Sequence, residues 1–248
     1  MIRKFLIIFI IQSIIPWQGI YAAYNLVAST SKQATGCTAG LTTTGIDTST
    51  PGADLIVVAI SYYGTVPTLT DSQSNGWTQL STYGDVAVSN NHFITFFYKQ
   101  APSISASHTF TLGTEVSCPC IFVGAFTGSA STPFDLENGV ALGLGTSGQP
   151  GAILPNANNE LVVFALDTSG DFTSVDIGSL IGSTFSEIGG TAVGGALAYS
   201  VQTTATSINP TWTTSNAFRA LNIAGFKAAA AGGGAAPCPS PFCGMIGE

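Results

Sequence analysis

The chain has 248 residues, which is enough for one large β-domain or two small domains. Charged residues make up only 8% of it, against about 25% in an ordinary soluble domain, whereas 45% of the residues are hydrophobic. This composition excludes a long coiled coil, a charge-driven disordered tail and a basic nucleic-acid binder, because each of these needs more charge.

Residues 1–22 have the pattern of a cleaved secretory signal. Arg3 and Lys4 precede an apolar run from Phe5 to Ile15, and small residues follow at Ala22 and Ala23. The run is shorter than the ~20 apolar residues of a spanning helix, which favours cleavage over a retained membrane anchor. Cleavage leaves four basic and thirteen acidic residues, a net charge of −9. We therefore predict a protein that is secreted or exposed at the cell surface, without a membrane span after cleavage and without a nucleic-acid partner.

The rest of the chain predicts β-strands. Short runs rich in Val, Ile, Thr, Phe and Tyr alternate with turn residues such as Pro51-Gly52 and Asn209-Pro210. The clearest predicted strands are Leu55–Tyr62, Phe93–Tyr98, His108–Leu112, Cys120–Phe126, Glu160–Leu166, Gly195–Gln202 and Leu221–Phe226. Several of them alternate between polar and apolar residues, as strands of a sandwich do.

The two halves of this region form a weak internal repeat. The matching segments are Ala53–Val58 with Asn159–Phe164, Tyr98 with Tyr199, Phe110 with Trp212, and Val123–Phe126 with Ile223–Phe226. Their separation is nearly constant, and the drift falls in predicted loops. Each half thus supplies a similar set of strands.

We predict an all-β fold in which the two pseudo-repeated halves of residues 23–228 pack face to face. The expected architecture is a two-sheet antiparallel sandwich of the jelly-roll, concanavalin A-like type. Two separate immunoglobulin-like domains are the alternative, although no Pro- or Ser-rich linker separates the halves. Residues 132–139 are predicted to be a loop that connects them, and residues 229–248 a flexible Ala/Gly/Pro tether.

Eight segments of the chain resemble a set of uncharacterised bacterial and phage-associated β-sandwich modules. They are Gly45-Ile46-Asp47-Thr48, Leu55-Ile56-Val57-Val58, Asp71-Ser72 with Asn75-Gly76-Trp77, Ser107-His108-Thr109-Phe110-Thr111, Ala125-Phe126-Thr127-Gly128, Pro133-Phe134-Asp135, Asn158-Asn159-Glu160-Leu161-Val162-Val163 and Asn209-Pro210-Thr211-Trp212. The resemblance covers about residues 25 to 228. It implies a lectin-like jelly roll, and it implies no catalytic residues because its motifs are turns and core strands.

Enzymatic motifs are scarce in the sequence. His92 and His108 lie on separate predicted strands without metal-ligand spacing, and there is no G-x-S-x-G, Walker or dinucleotide pattern. Paired carboxylates would indicate a glycosidase, but Asp135 and Glu137 fall in the predicted loop and the other acids are scattered. A carbohydrate-active hydrolase is therefore only the alternative to a non-enzymatic role.

Two kinds of binding site are compatible with the sequence. Tyr62, Tyr63, Trp77 and Tyr83 are candidates for an exposed aromatic platform that stacks on sugar rings, although Trp77 also suits a core position. Asp71, Asn75, Asp135 and Glu137 are candidate ligands for calcium, the one cofactor considered, although Asp and Asn also build turns.

Five cysteines in an exported chain allow disulfides and leave an odd thiol. Cys238 and Cys243 form a compact predicted pair in the tail. Cys118 and Cys120 point to the same side of a strand, which leaves Cys37 as a partner for one of them.

The function that the sequence favours is non-enzymatic. We predict a secreted β-sandwich that binds a glycan or cell-surface ligand, or that serves in adhesion or extracellular structure. A virion-associated structural role, in a fibre or capsid, is a further alternative.

Overall fold

The computed structural model describes residues 23–34, 40–114, 117–188 and 191–230. All regular elements in these ranges are β-strands. They are β1 (Asn25–Gln33), β2 (Leu41–Thr42), β3 (Leu55–Tyr63), β4 (Leu69–Asp71), β5 (Thr78–Gly84), β6 (His92–Gln100), β7 (Phe110–Leu112), β8 (Ser117–Thr127), β9 (Ser129–Gly148), β10 (Glu160–Thr168), β11 (Phe172–Val175), β12 (Ser179–Ile188), β13 (Thr191–Gln202) and β14 (Trp212–Ala228). No helix in the described ranges is long and apolar enough to span a membrane.

Each half of the chain forms one large antiparallel sheet. Sheet I has the strand order β1-β8-β3-β6-β5. Sheet II has the order β9-β14-β10-β13-β12, with β11 paired to the first residues of β14. A small sheet, β2-β7-β4, lies outside sheet I. The predicted all-β antiparallel sandwich with two pseudo-repeated halves is confirmed, with this third sheet as an addition.

The strand order identifies a jelly roll within each half. In the first half, the orders β1-β8-β3-β6 and β2-β7-β4 place the first and last strands side by side in one sheet, as two Greek keys do. In the second half, the long strands β9 and β14 serve both layers. Trp212, the first residue of β14, pairs with Gly148 at the end of β9 on one side and with Val175 of β11 on the other. The sandwich is therefore a tandem of two jelly rolls.

The repeat extends to the pairing register. Leu55 faces Phe126 in sheet I, and Leu161 faces Phe226 at the corresponding place in sheet II. The corresponding aromatic contacts also cross between the sheets with nearly the same geometry. The ring centroids of Phe126 and Tyr199 are 5.3 Å apart, and those of Phe226 and Tyr98 are 5.4 Å apart. The two halves thus face each other as near copies.

Three apolar clusters hold the layers together. The central cluster lies between the sheets and takes inward residues from both, including Val57, Phe122, Val163 and Leu197. A second cluster fills the space between sheet I and the small sheet, and a third lies under the outer loops of sheet II around Trp212. Because β3 and β10 contribute to two clusters each, both of their faces are buried.

The predicted loop at residues 132–139 is wrong, because these residues belong to β9. β14 offers a hydrogen-bonding partner along this whole segment, and a β-bulge absorbs the mismatch. Phe134 pairs with Phe226 and Leu136 pairs with Gly225, so Asp135 is the extra residue of the bulge. The bulge turns the Asp135 side chain away from the central cluster.

Several sequence predictions fall wholly or partly outside the described residues. These are the signal at residues 1–22, the tail from residue 231 onward, the pair Cys238 and Cys243, and Cys37. Cys118 is disulfide-bonded, and Cys120 is buried in the central cluster.

Candidate ligand-binding groove

The four predicted platform aromatics do not form one exposed surface. Tyr62 is 0% exposed and packs with Phe93 in the cluster under the small sheet, where Trp77 also lies against Phe110. Tyr83 packs on the central cluster, on the opposite side of sheet I. The alternation of side chains across a strand separates these rings, so only local contacts remain.

Tyr63 is the fourth of these candidates. Its ring meets the edge of the His92 ring, with centroids 5.7 Å apart, and its hydroxyl accepts a hydrogen bond from Asn91. It is half-buried, and these contacts tie it to the turn before β6 rather than to the other three rings.

The four predicted calcium ligands do not converge on one site, because two lie in the turn after β4 and two lie on β9. Asp71 Oδ1 accepts hydrogen bonds from the backbone of Gln73 and Asn75, which closes the turn after β4. On β9, Asp135 binds Asn156 whereas Glu137 binds Ser81 of β5. Among the described residues, no three His, Cys, Asp or Glu side chains form a group that could hold a metal ion.

A buried polar triad joins the two sheets at one end of the central cluster. Ser61 donates a 2.5 Å hydrogen bond to Asp167 Oδ1, and His92 Nδ1 lies 3.1 Å from Asp167 Oδ2. Ser61 and Asp167 occupy corresponding positions of the two halves, facing Cys120 and Ala220 respectively. The aspartate binds both partners, so the arrangement is a structural ion pair and not a nucleophile with its base.

The ion pair sets the charge state of His92. Burial lowers the pKa of His92, but the attraction of Asp167 and its hydrogen bond outweigh burial, so the net pKa is raised. The protonated form is therefore bound more tightly in the folded state, and its contribution to stability is lost as pH rises through the folded pKa.

This predicts a pH-dependent cost of replacing His92. Wild-type protein should exceed His92→Gln in free energy of unfolding most at about pH 6, and the difference should shrink by about pH 8. Urea unfolding of both proteins across this range measures it. The variant serves as the reference because other titrations, including that of His108, cancel in the difference. A difference that grows with pH would contradict the assignment.

The second histidine lies in a different buried set. His108 Nδ1 is 3.1 Å from the Thr48 hydroxyl, and His108 Nε2 is 3.6 Å from Asp71 Oδ2. Thr48 and His108 are both 0% exposed, and the Thr48 hydroxyl also bonds to the backbone of Ser105. Burial lowers the pKa of His108 more than Asp71 raises it. These groups order the loops below the small sheet.

A groove of about 480 Å³ opens where the two halves meet. Tyr98 of β6 and Phe134 of β9 line it, and their rings stack with centroids 6.1 Å apart and planes 19° apart. Both rings are half-buried and rest on the central cluster through Phe226. The groove therefore contains an aromatic surface to which both sheets contribute.

Polar groups surround this aromatic surface. Thr78 on one side and Ser131 and Thr132 on the other are exposed hydroxyl residues that line the groove, together with Lys99 and Gln100. A mixture of ring faces and hydrogen-bonding groups suits sugars, which present both apolar faces and hydroxyls. The volume falls within the range of ordinary ligand pockets, about 300–1,000 Å³.

The groove breaks the internal repeat. By register, Tyr98 corresponds to Tyr199, but Lys99 corresponds to Ser200 and Gln100 to Val201. Sequence reasoning did not single out Tyr98, Phe134 or the hydroxyls as a site. The only available signal was this local divergence between two otherwise matching strands.

No protein family, curated protein or solved structure matches this chain. The class of protein that the fold defines is an all-β, antiparallel β-sandwich.

Proposed function

We propose that this protein is a secreted, non-enzymatic β-sandwich that binds a glycan or another surface ligand in adhesion or extracellular structure. The observation that carries the proposal is the groove between β6 and β9, with stacked Tyr98 and Phe134 and a rim of hydroxyls. Aromatic faces provide apolar contact at little entropic cost, and the hydroxyls provide direction. The groove takes the place of the aromatic platform expected from the sequence.

The acids near the groove support binding over hydrolysis. A glycosidase holds two carboxyl groups about 5 to 10 Å apart on either side of an accessible sugar. Glu160 is instead 0% exposed and accepts a hydrogen bond from the backbone of Ala157, and Asp135 accepts hydrogen bonds from Asn156. Both point to the outer face of sheet II, whereas Phe134 faces inward.

A structural role in a fibre or capsid is the second candidate. It is supported by the jelly-roll strand order of both halves, which recurs in capsid as well as lectin domains. Size-exclusion chromatography and electron microscopy of the purified protein distinguish the two roles. Ordered assemblies without glycan binding would favour the structural role.

Filling the groove should weaken binding without unfolding the protein. Thr132→Trp places a large ring in the groove from an exposed strand position, so affinity for the best glycan on an array should fall at least about tenfold. The matched control is Thr173→Trp, an exposed threonine on β11 outside the groove. Both variants should melt within a few degrees of wild type. Unchanged binding by a folded Thr132→Trp protein would place the site elsewhere.

A further inference from the structure

Three side chains from three adjacent strands meet on the outer face of sheet II. Lys227 Nζ of β14 lies 3.6 Å from Oδ1 of Asp135, the bulged residue of β9. Glu160, the first residue of β10, reaches the same carboxyl group. It passes over Gly225 of β14, where an added Cβ would lie 3.2 Å from Glu160 Oε2. The three groups can come together because Gly225 has no side chain and because the bulge places Asp135 on this face.

The two carboxyl groups differ in pKa. Burial, followed by the charge of Asp135, raises the pKa of Glu160 to about 7. Burial also raises the pKa of Asp135, but hydrogen bonds from Asn156 and the charge of Lys227 lower it further, so its net pKa is below normal. Glu160 Oε2 is buried and receives no hydrogen bond. With a proton on it, this oxygen becomes a donor to Asp135.

A simple surface ion pair does not need such a partner. An ammonium beside a carboxylate is already satisfied, and exposed pairs contribute little to stability. The third group, Glu160, is a buried acid whose pKa of about 7 lets it both give and take a proton near neutral pH. This is the arrangement of a proton carrier beside a nucleophile and its target.

We propose that Lys227 and Asp135 form an internal isopeptide bond, with Glu160 as the proton-transfer group. The reaction begins with the Lys227 ammonium, the Asp135 carboxylate and the Glu160 carboxylic acid. Glu160 gives its proton to Asp135 and takes one from Lys227, which leaves a neutral amine beside a neutral acid. The amine lone pair attacks Asp135 Cγ and forms the C–N bond.

The second step expels water. The nitrogen loses another proton, which passes through Glu160 to the departing hydroxyl, and the C–O bond breaks. In the net balance the Lys227 nitrogen loses two protons and Asp135 loses one oxygen, which leave together as water. Glu160 passes its own proton on, keeps one that came from Lys227, and so ends protonated as it began. The overall change is ammonium plus carboxylate to amide plus water, without an oxidant, a reductant or an activated co-substrate. Lys227 is 40% exposed, so the water can leave to solvent.

The bond would join the first and last strands of the second jelly roll. β9 and β14 are already neighbours in sheet II, so the link follows the existing ladder. A covalent tie between these strands prevents the second half from opening from its ends. This inference does not depend on the proposed ligand, because the cluster lies on the outer face of sheet II, away from the inward-facing Phe134.

Intact mass spectrometry of the purified protein tests the proposal. The measured mass of the wild-type protein should be about 18 Da below the mass calculated from its sequence and its disulfides, because one water is lost. Lys227→Arg keeps the cation but removes the amine nucleophile, and Glu160→Gln keeps the shape but not the transferable proton. Both should show the full sequence mass. Glu137→Gln, which changes the β9 carboxylate bound to Ser81, should still show the loss.

Peptide sequencing locates the bond. Trypsin should not cleave after Lys227 in wild-type protein, and fragment spectra should join Lys227 to Asp135. The melting temperature of Lys227→Arg should fall by about 10 °C, because a link closing a long loop is lost while the ion pair is kept. Full sequence mass in folded wild-type protein incubated at about pH 7 overturns the proposal. The same 18 Da loss in Lys227→Arg also overturns it, because the water then comes from another residue.

Discussion

Replacement of Asp167 by alanine is expected to lower the free energy of unfolding by about 3–5 kcal/mol. Asp167 is 0% exposed and is the shared partner of Ser61 and His92 between the two sheets. Its removal leaves the His92 ring buried without its counter-charge and the Ser61 hydroxyl with only the carbonyl of Gly194. Chemical denaturation of both proteins at about pH 6 measures the loss.

The control for this variant is Asp171→Ala, three positions beyond the end of β10. Asp171 is exposed, and its backbone N–H and C=O form hydrogen bonds with Ser215, so replacement of its side chain should change stability by less than about 0.5 kcal/mol. If Asp167→Ala is no more costly than this control, the triad does not hold the sheets together.

Phe126→Ala and Phe226→Ala should each cost about 3–5 kcal/mol, and each should shift one shared unfolding transition. The two rings are fully buried at corresponding places, and each contacts a tyrosine of the opposite sheet. A cavity at either place weakens the central cluster, which both halves share. Calorimetry and denaturant titration followed by two probes measure the effect.

Leu154→Ala is the control for the cavity variants, because Leu154 is 59% exposed. It should leave the transition within about 0.5 kcal/mol of wild type. Two transitions, with Phe126→Ala moving only one and Phe226→Ala only the other, would show that the halves fold independently. That result would support the two-domain alternative.

The strands that the sequence predicted are those whose own residues have the hydrophobic pattern of a strand. β3 and β10 were found because apolar runs between turn residues are typical of strands buried on both faces. The edge strands β5 and β12 were missed, because edge positions tolerate polar and glycine residues. The repeat was predicted from a few matching residues, and the pairing register agrees with it.

Contacts between distant residues could not be predicted. The small sheet covers Tyr62, and the strand pattern alone does not indicate this cover. Pro133 and Gly139 favoured a loop at residues where β14 instead extends the ladder. The groove needs Tyr98 beside Phe134, and the proposed cross-link needs Lys227 beside Asp135. Both depend on how sheet I and the strands of sheet II assemble.

The most direct test of the proposed function is fluorine NMR of protein labelled with fluorotyrosine. Tyr→Phe replacements assign the signals, and the best glycan from an array is then added. We expect a saturable shift of the Tyr98 signal, with the signal of the buried Tyr62 unchanged. A glycan that binds without moving the Tyr98 signal, or an array on which the folded protein binds nothing, would contradict the proposed binding groove.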